Sequence, residues 1–171
     1  MSIKNKAFIG GIYEHPTRKA IDKSVAQLHA ESAAGALADA GLSPDDVDAY
    51  YCAGDAPGLG PLSMIDYMGL KNVRHMDATE TGGSSYVVHV GHAAQAIAMG
   101  KANIALITLA GRPRADGMAT GTAPRNYDSA APDVPFEFIY GPTVVNMYAM
   151  AARRHMYELC KIGRASGWDR V

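Results

Sequence analysis

The amino-acid sequence predicts an α/β layered domain built on a mostly parallel sheet. Short apolar segments that are typical of strands alternate along the chain with longer segments of helical periodicity. One of the strand-like segments, residues 103–109, is an almost continuous apolar run, which is typical of a strand covered on both faces. Such alternation favours parallel strands joined by right-handed helical crossovers.

The elements can be assigned in chain order. Residues 7–13 are predicted as a first strand. Ser24 is predicted to cap a helix that ends at Gly41, and Ser43-Pro44 to begin one short helical turn. Further strands are predicted at 47–52, 73–78 and 103–109, and further helices at 61–68, 86–99 and 141–158. Residues 111–135 are rich in Gly and Pro and are interpreted as a long loop, either functional or a plain surface loop.

Composition narrows the function classes. A chain of 171 residues with 48% hydrophobic and 19% charged residues suits one soluble globular domain. A net charge of −1 gives no electrostatic reason to expect nucleic acid or an anionic membrane surface as a partner. Without a signal peptide pattern or an apolar run of about 20 residues, we expect a cytoplasmic protein with no membrane span. Cys52 and Cys160 are expected to be free thiols rather than a disulfide framework.

The most informative segment is residues 77–86, Asp-Ala-Thr-Glu-Thr-Gly-Gly-Ser-Ser-Tyr, which joins a predicted strand to a nearly all-apolar helix. Two adjacent glycines at such a junction allow a sharp turn and the close approach of a ligand. The helix start presents free N–H groups and the positive end of the helix dipole. The junction is therefore predicted to be a binding or active site. By contrast, the Gly-rich loop 54–60 lacks the motifs of phosphate and dinucleotide loops and is interpreted as a plain loop or a subunit contact.

This junction resembles the nucleophile turn of the thiolase superfamily, in particular the thiolase-like, lipid-transfer-protein (SCP2-type) acetyl-CoA acetyltransferases. Those proteins place a nucleophilic cysteine on a strand-to-helix turn written roughly Cys-Ala-Ser/Thr-Gly-Ser. With the family glycine on Gly83, Glu80 takes the cysteine position, and a register one residue later gives Thr81. The similarity extends over about residues 5–158, through the segments 7–13, 24–41, 42–48, 104–111 and 140–143.

The resemblance implies the N-terminal half of a thiolase-like layered fold, βαβαβαβ, over residues 1–158, with a loop excursion at 111–139. It implies an acyl-CoA substrate, acyl transfer at the family level and no other cofactor. The implied catalytic positions are Glu80 and Thr81, and the implied substrate contacts are Gly82, Gly83, Ser84, Tyr140 and Gly141. Residues 159–171 do not match the family, and we interpret them as the mark of a truncated or frame-shifted product.

The missing cysteine changes the expected chemistry. Neither a carboxylate nor a threonine replaces a thiolate as a carrier of an acyl group. Some thiolase-like proteins without the cysteine instead perform retro-aldol cleavage of acyl-CoA side chains, together with a DUF35 (OB-fold, zinc-ribbon) partner. Glu80 would then act as a base or hydrogen-bond acceptor, or would only cap the turn. The alternative function is a catalytically inactive acyl-CoA- or lipid-binding module or an assembly module.

The predicted helix 86–99 is apolar almost all the way round, except for His89, His92 and Gln95 along one line. A helix of this kind must be covered on every side, so we expect a homo-oligomer or an exposed apolar face. His89 and His92, spaced i and i+3, could share a metal. No Cys, Asp or Glu joins them on the helix, so a polar seam is the favoured interpretation and no metal site is predicted.

Overall fold

The computed structural model describes residues 3–117, 132, 134–138 and 143–159. Two units are distinguished, Met1–Ala115 and Asp116–Val171, and each is described by itself. The first unit contains the whole sheet together with the first three α-helices. It also contains the predicted strand-to-helix junction, so it is the unit that positions the candidate site.

The helices of the first unit begin and end close to the predicted residues. They are α1 (Val25–Ala40), α2 (Pro61–Met68) and α3 (Ser85–Ala98), with a 3₁₀ turn at Pro44–Asp46. The hydroxyl of Ser24 accepts a hydrogen bond from the amide of Gln27 at 3.1 Å and caps α1. Gly41 ends the same helix in the left-handed conformation, with φ of 68°. The capping residues therefore predicted both ends of this helix correctly.

Three short parallel strands form the sheet, in the order β2-β1-β3. These strands are β1 (Ala49–Tyr51), β2 (His75–Asp77) and β3 (Ala105–Ile107). Ala49 is in register with His75 on one side and with Ala105 on the other. Because the strands are parallel, their carboxyl ends meet at one edge, and the three loops that leave that edge are brought together.

The two faces of β1 are covered by different helices. Tyr50 belongs to a core that also contains residues of α1 and α2, namely Ala33, Leu37 and Met64. Tyr51 faces the other way and packs in a core with Ala93 and Ala96 of α3. All three residues of β1 are fully buried. The domain therefore has helices on both faces of a parallel sheet, as the sequence predicted.

The predicted first strand at residues 7–13 is wrong, and the described residues form three strands where four were expected. Among the described residues this segment is irregular and lies against α1. The amide of Ile12 donates a hydrogen bond to Asp39 at 2.9 Å, and a Cβ on Gly11 would lie only 2.5 Å from the carbonyl oxygen of Ala36. Phe8 is 83% exposed. A short apolar segment forms a strand only where a sheet edge is available, and here the backbone meets a helix instead.

The buried side of α3 differs from the expectation. The buried residues of α3 are Ser85, His89, Ala93 and Ala96, so His89 of the predicted polar line is fully buried. Val87 is 76% exposed, and Val90 is exposed as well. The small side chains of Ala93 and Ala96 allow α3 to approach the sheet closely. The face of α3 with these alanines therefore packs against the sheet, rather than the face with Val87 and Val90. The apolar face therefore remains uncovered within the described residues.

The second unit is described at a π-helical turn, Val134–Phe138, and at α4, Val144–Leu159. The position of α4 agrees with the predicted helix at 141–158. Most of the predicted loop at 111–139 lies outside the described residues, as do residues 160–171 with Cys160. No helix in the described part of the chain is long and apolar enough to cross a membrane.

Candidate functional site

The strand-to-helix turn between β2 and α3 is organised by the carboxylate of Glu80. Its Oε2 accepts a hydrogen bond from the amide of Gly54 at 2.6 Å. Its Oε1 accepts one from the amide of Gly82, also at 2.6 Å, and a longer one from the Ser85 hydroxyl at 3.1 Å. The hydrogen bonds from the Gly54 and Gly82 amides hold the pKa of Glu80 below its usual value. Glu80 thus connects two loops at the carboxyl edge of the sheet.

Of the two adjacent glycines, only Gly82 requires the absence of a side chain. Gly82 has a φ of 69°, in the left-handed region that favours glycine. A Cβ on Gly83 would meet open space, so this position tolerates a side chain. The close approach occurs at Gly54 instead, where a Cβ would lie 2.8 Å from Oε2 of Glu80.

The other residues of the turn bond to one another. The amide of Thr81 donates to the Ser85 hydroxyl at 2.8 Å, and the hydroxyl of Ser84 donates to the Thr81 carbonyl at 3.0 Å. The amides of Thr81 and Gly82 are therefore engaged by protein oxygens. The amides of Gly83 and Ser84, just before α3, are candidates to bind a ligand oxygen at this helix start.

A second carboxylate belongs to Asp55. This residue directly follows Gly54, whose amide donates a hydrogen bond to Glu80. Its Oδ1 accepts a hydrogen bond from the hydroxyl of Tyr86, in the first turn of α3. Its Oδ2 accepts one from the amide of Ala110 at 2.9 Å and lies 3.2 Å from Nε2 of His29. Burial acts to raise the pKa of Asp55, but the contacts with His29, Tyr86 and Ala110 outweigh it and lower the pKa.

The cluster continues into the interior through the imidazole of His29, which is fully buried in α1. Nδ1 of His29 lies 2.8 Å from the hydroxyl oxygen of Thr108, which lies 2.7 Å from the hydroxyl of Tyr50. The cluster therefore joins α1, β1, α3 and the segment after β3. We refer to Tyr50, Thr108, His29, Asp55 and Tyr86 below as the Asp55 cluster.

The two histidines of α3 have separate partners. Nε2 of His89 lies 3.0 Å from the carbonyl oxygen of Thr79, and Nδ1 of His92 contacts the carboxylate of Asp77. They do not converge on one point. No group of three or more metal-ligating side chains occurs in the part of the chain that the structure describes.

Cys52 is the described thiol nearest to this edge of the sheet, and it is fully buried at the end of β1. Burial raises its pKa to about 11, so the thiol is protonated at neutral pH. The residue is part of the hydrophobic core beside Tyr50. These properties are typical of a structural cysteine.

The structure brings together Glu80, Thr81, Gly82, Gly83 and Ser84, as expected for one turn. The remaining predicted substrate contacts, Tyr140 and Gly141, lie outside the described residues.

Sequence reasoning missed the residues of the Asp55 cluster. Three signals could have found them. Asp55 lies in the loop after a predicted strand, Thr108 interrupts an apolar run, and His29 lies among apolar residues on the inner side of a helix. A polar residue in each of these places needs a buried partner.

The chain is similar to two curated lyases. It is 31% identical over 170 residues to 17-hydroxy-3-oxo-4-pregnene-20-carboxyl-CoA lyase of Mycobacterium tuberculosis (strain ATCC 25618 / H37Rv), a match that covers 91% of this chain and 41% of the relative. It is 30% identical over 156 residues to the steroid side-chain-cleaving aldolase of Thermomonospora curvata, which covers 89% of this chain and 40% of that protein. The chain therefore spans about two fifths of the length of these relatives.

A solved structure shares the fold. The Ltp2-ChsH2(DUF35) aldolase superposes with a TM-score of 0.73 at 28% sequence identity, over 90% of this chain and 38% of the other. No protein-family model matches the sequence. The predicted α/β class with a parallel sheet is confirmed, with three strands in the part of the chain that the structure describes, and the fold is shared with this aldolase.

Proposed function

We propose that this chain handles a β-hydroxyacyl-CoA and takes part in retro-aldol cleavage of a carbon–carbon bond. The observation that carries the proposal is its similarity, along about nine tenths of its length, to two proteins named as a steroid carboxyl-CoA lyase and a side-chain-cleaving aldolase. The turn between β2 and α3 supports it, because the residues there offer a carboxylate and backbone amides but no thiol.

The chemistry of such a cleavage suits a site without a nucleophile. The proton leaves the β-hydroxyl, the bond between the α- and β-carbons breaks, and its electron pair forms an enolate on the thioester. Proton transfer and stabilisation of the enolate oxygen are the two requirements, and no acyl–enzyme intermediate is needed. The amides of Gly83 and Ser84, at the positive end of α3, are proposed to hold the enolate oxygen.

Glu80 is proposed to shape the turn rather than to accept the proton. Each of its carboxylate oxygens already accepts a backbone amide, so both oxygens are directed at the protein chain. Thr81 is proposed to stabilise the turn as well, because its amide and carbonyl are both bound within it. A DUF35-type partner is proposed by similarity to the complex named in the solved structure.

Two reactions distinguish the proposed activity from the acyl transfer implied by the thiolase resemblance. The chain is incubated with a β-hydroxyacyl-CoA, and the ketone and shortened acyl-CoA are quantified by mass spectrometry. In parallel it is given acetoacetyl-CoA and free CoA. We expect cleavage in the first assay and no thiolysis in the second. Thiolysis, or the absence of both binding and cleavage of the β-hydroxyacyl-CoA, would contradict the proposal.

An assembly module is the second candidate, and the exposed apolar face of α3 favours it. Val87 and Val90 point to solvent on a helix that is otherwise apolar, and such a face promotes association. Light scattering across a dilution series should show dimers or larger species, and Val87→Lys should shift the distribution toward monomer. Gln95→Lys, at another exposed position on α3, is the matched control. A monomer at every concentration would exclude this candidate as a homo-oligomer.

A further inference from the structure

The Asp55 cluster contains a tyrosine hydroxyl held by a carboxylate at the start of the helix that carries the candidate site. Tyr86 follows Ser85, whose hydroxyl bonds Glu80, and Asp55 follows Gly54, whose amide bonds the other oxygen of Glu80. Two short backbone connections therefore link the Tyr86–Asp55 pair to the turn. Tyr86 is half-buried and Asp55 is not closed off from solvent, since 22% of its side chain is exposed.

The hydrogen bonds of the cluster can all point toward Asp55. Tyr50 can donate to Thr108, Thr108 to Nδ1 of His29, and Nε2–H of a neutral His29 can face Asp55. In this arrangement the hydroxyls of Tyr50 and Thr108 each face an acceptor, while Nε2 of His29 lies 3.2 Å from Asp55 without the geometry of a hydrogen bond. Oδ2 of Asp55 then lies beside His29 and the amide of Ala110, and Oδ1 contacts the hydroxyl of Tyr86.

We propose that Tyr86 is a catalytic residue of the retro-aldol reaction and that Asp55 positions it, with His29 holding Asp55 in place. This inference rests on the proposed function and assigns its proton-transfer step. The carrying observation is the contact of the Tyr86 hydroxyl with a carboxylate that three elements of the fold hold in place. Tyr86 differs from Glu80 in that its oxygen keeps lone pairs that no backbone amide occupies.

The proton balance of the reaction fits this pair. In the forward step the phenol oxygen takes the proton of the β-hydroxyl, and the phenol proton moves to Asp55. The bond between the α- and β-carbons breaks, which leaves a ketone and a thioester enolate. The proton then returns from Asp55 through Tyr86 to the α-carbon of the enolate. One proton moves from oxygen to carbon, so the pair ends in its starting state and no oxidant, reductant or metal is consumed.

The second half of this step can be measured alone. If Tyr86 exchanges a proton with the α-carbon, the chain catalyses deuterium incorporation into a saturated acyl-CoA such as butyryl-CoA in D₂O, measured by mass spectrometry. Tyr86→Phe should lower this rate by about 10²-fold or more, in the range expected for a positioned proton-transfer group. Tyr67→Phe, which changes an exposed tyrosine of α2, is the matched control and should leave the rate unchanged.

The outcomes separate the two proposals. Exchange and cleavage that persist at the wild-type rate in Tyr86→Phe would overturn the role of Tyr86 and leave the proposed function standing. A wild-type chain that neither cleaves a β-hydroxyacyl-CoA nor exchanges the α-proton would overturn the proposed function, and this inference with it. Loss of exchange in Tyr86→Phe with a wild-type circular dichroism spectrum and unchanged butyryl-CoA binding supports the inference.

A spectroscopic measurement tests the positioning role of Asp55 without activity. The ionisation of Tyr86 is followed by ultraviolet absorbance as the wild type minus Tyr86→Phe. The groups near this phenol are Asp55, Glu80 and Cys52, and the ring of His89 packs edge-on against it. In Asp55→Asn the Tyr86 pKa should fall, because the negative acceptor is gone. An unchanged titration in Asp55→Asn would overturn the positioning role.

Discussion

Glu80 and Asp55 are two carboxylates at the same edge of the sheet, and they are used differently. Glu80 is exposed, and both of its oxygens accept backbone amides, from Gly54 and Gly82. Asp55 is partly buried, and only one of its oxygens accepts a backbone amide: Oδ2 accepts the amide of Ala110 beside His29, whereas Oδ1 accepts the hydroxyl of Tyr86. A carboxylate with a backbone amide on each oxygen connects two loops, whereas the Asp55 oxygen that contacts only a phenol is placed to exchange a proton with it. Glu80 takes the position of the family's nucleophile, whereas the carboxylate suited to proton transfer belongs to a different residue, Asp55.

The largest expected effect comes from the buried end of the Asp55 cluster. His29→Ala leaves a cavity in the core and removes the partner of Thr108 and of Asp55, so we expect a loss of about 2–4 kcal/mol in the free energy of unfolding. Urea denaturation measures it. His155→Ala, at an exposed position of α4, is the control and should change stability by less than about 0.5 kcal/mol. Equal values for the two variants would mean that the cluster does not stabilise the fold.

The Glu80 turn should respond strongly to one glycine and weakly to its neighbour. Gly82→Ala places a side chain in the left-handed region, which costs about 1–2 kcal/mol. Gly83→Ala meets open space and should change the free energy of unfolding by less than about 0.5 kcal/mol. Denaturation curves for both variants and the wild type give the difference. A larger loss in Gly83→Ala than in Gly82→Ala would contradict the described geometry.

The ionisation of Glu80 should contribute to stability in a defined pH range. Its pKa in the folded chain is lower than the ordinary value of 4.5, so the unfolded chain binds more protons near and below that pH. The contribution is complete above about pH 4.5 and is lost as the pH falls toward the folded pKa. Glu80→Gln should therefore remove part of the acid sensitivity of unfolding. A wild type and a Glu80→Gln variant with parallel stability curves from pH 6 to pH 3 would show that the carboxylate contributes nothing.

Apart from the control variants, the smallest effect on stability is expected for Tyr86→Phe. The variant keeps the ring and loses one hydroxyl that contacts Asp55, so a change of about 1 kcal/mol or less is expected. Thermal unfolding monitored by circular dichroism measures it. A small stability change in Tyr86→Phe, combined with a large loss of proton exchange, would separate the role of Tyr86 from that of Glu80. Substitution of Glu80 should affect the stability of the turn more than the proton transfer. A loss of several kcal/mol would instead make Tyr86 a structural residue.

The sequence was most reliable where a signal is local. Ser24 and Gly41 mark the ends of α1, and Pro61 marks the start of α2, because capping depends on residues within one helical turn. Residues 7–13 were predicted wrongly as a strand because a short apolar segment does not show whether a sheet edge or a helix will lie beside it. The burial of His89 was missed for a similar reason, since periodicity shows that a helix has a face but not which face meets the sheet.

The sequence by itself determined the α/β class, the order of most elements and the junction at residues 77–86 as the place to look. The tertiary structure decided what each carboxylate does there. Asp55 and Tyr86 are 31 positions apart, and Glu80 is 26 positions from the amide that it binds at Gly54. Parallel strands bring the loops after β1, β2 and β3 to one edge, and contacts across such distances depend on packing that no local pattern encodes.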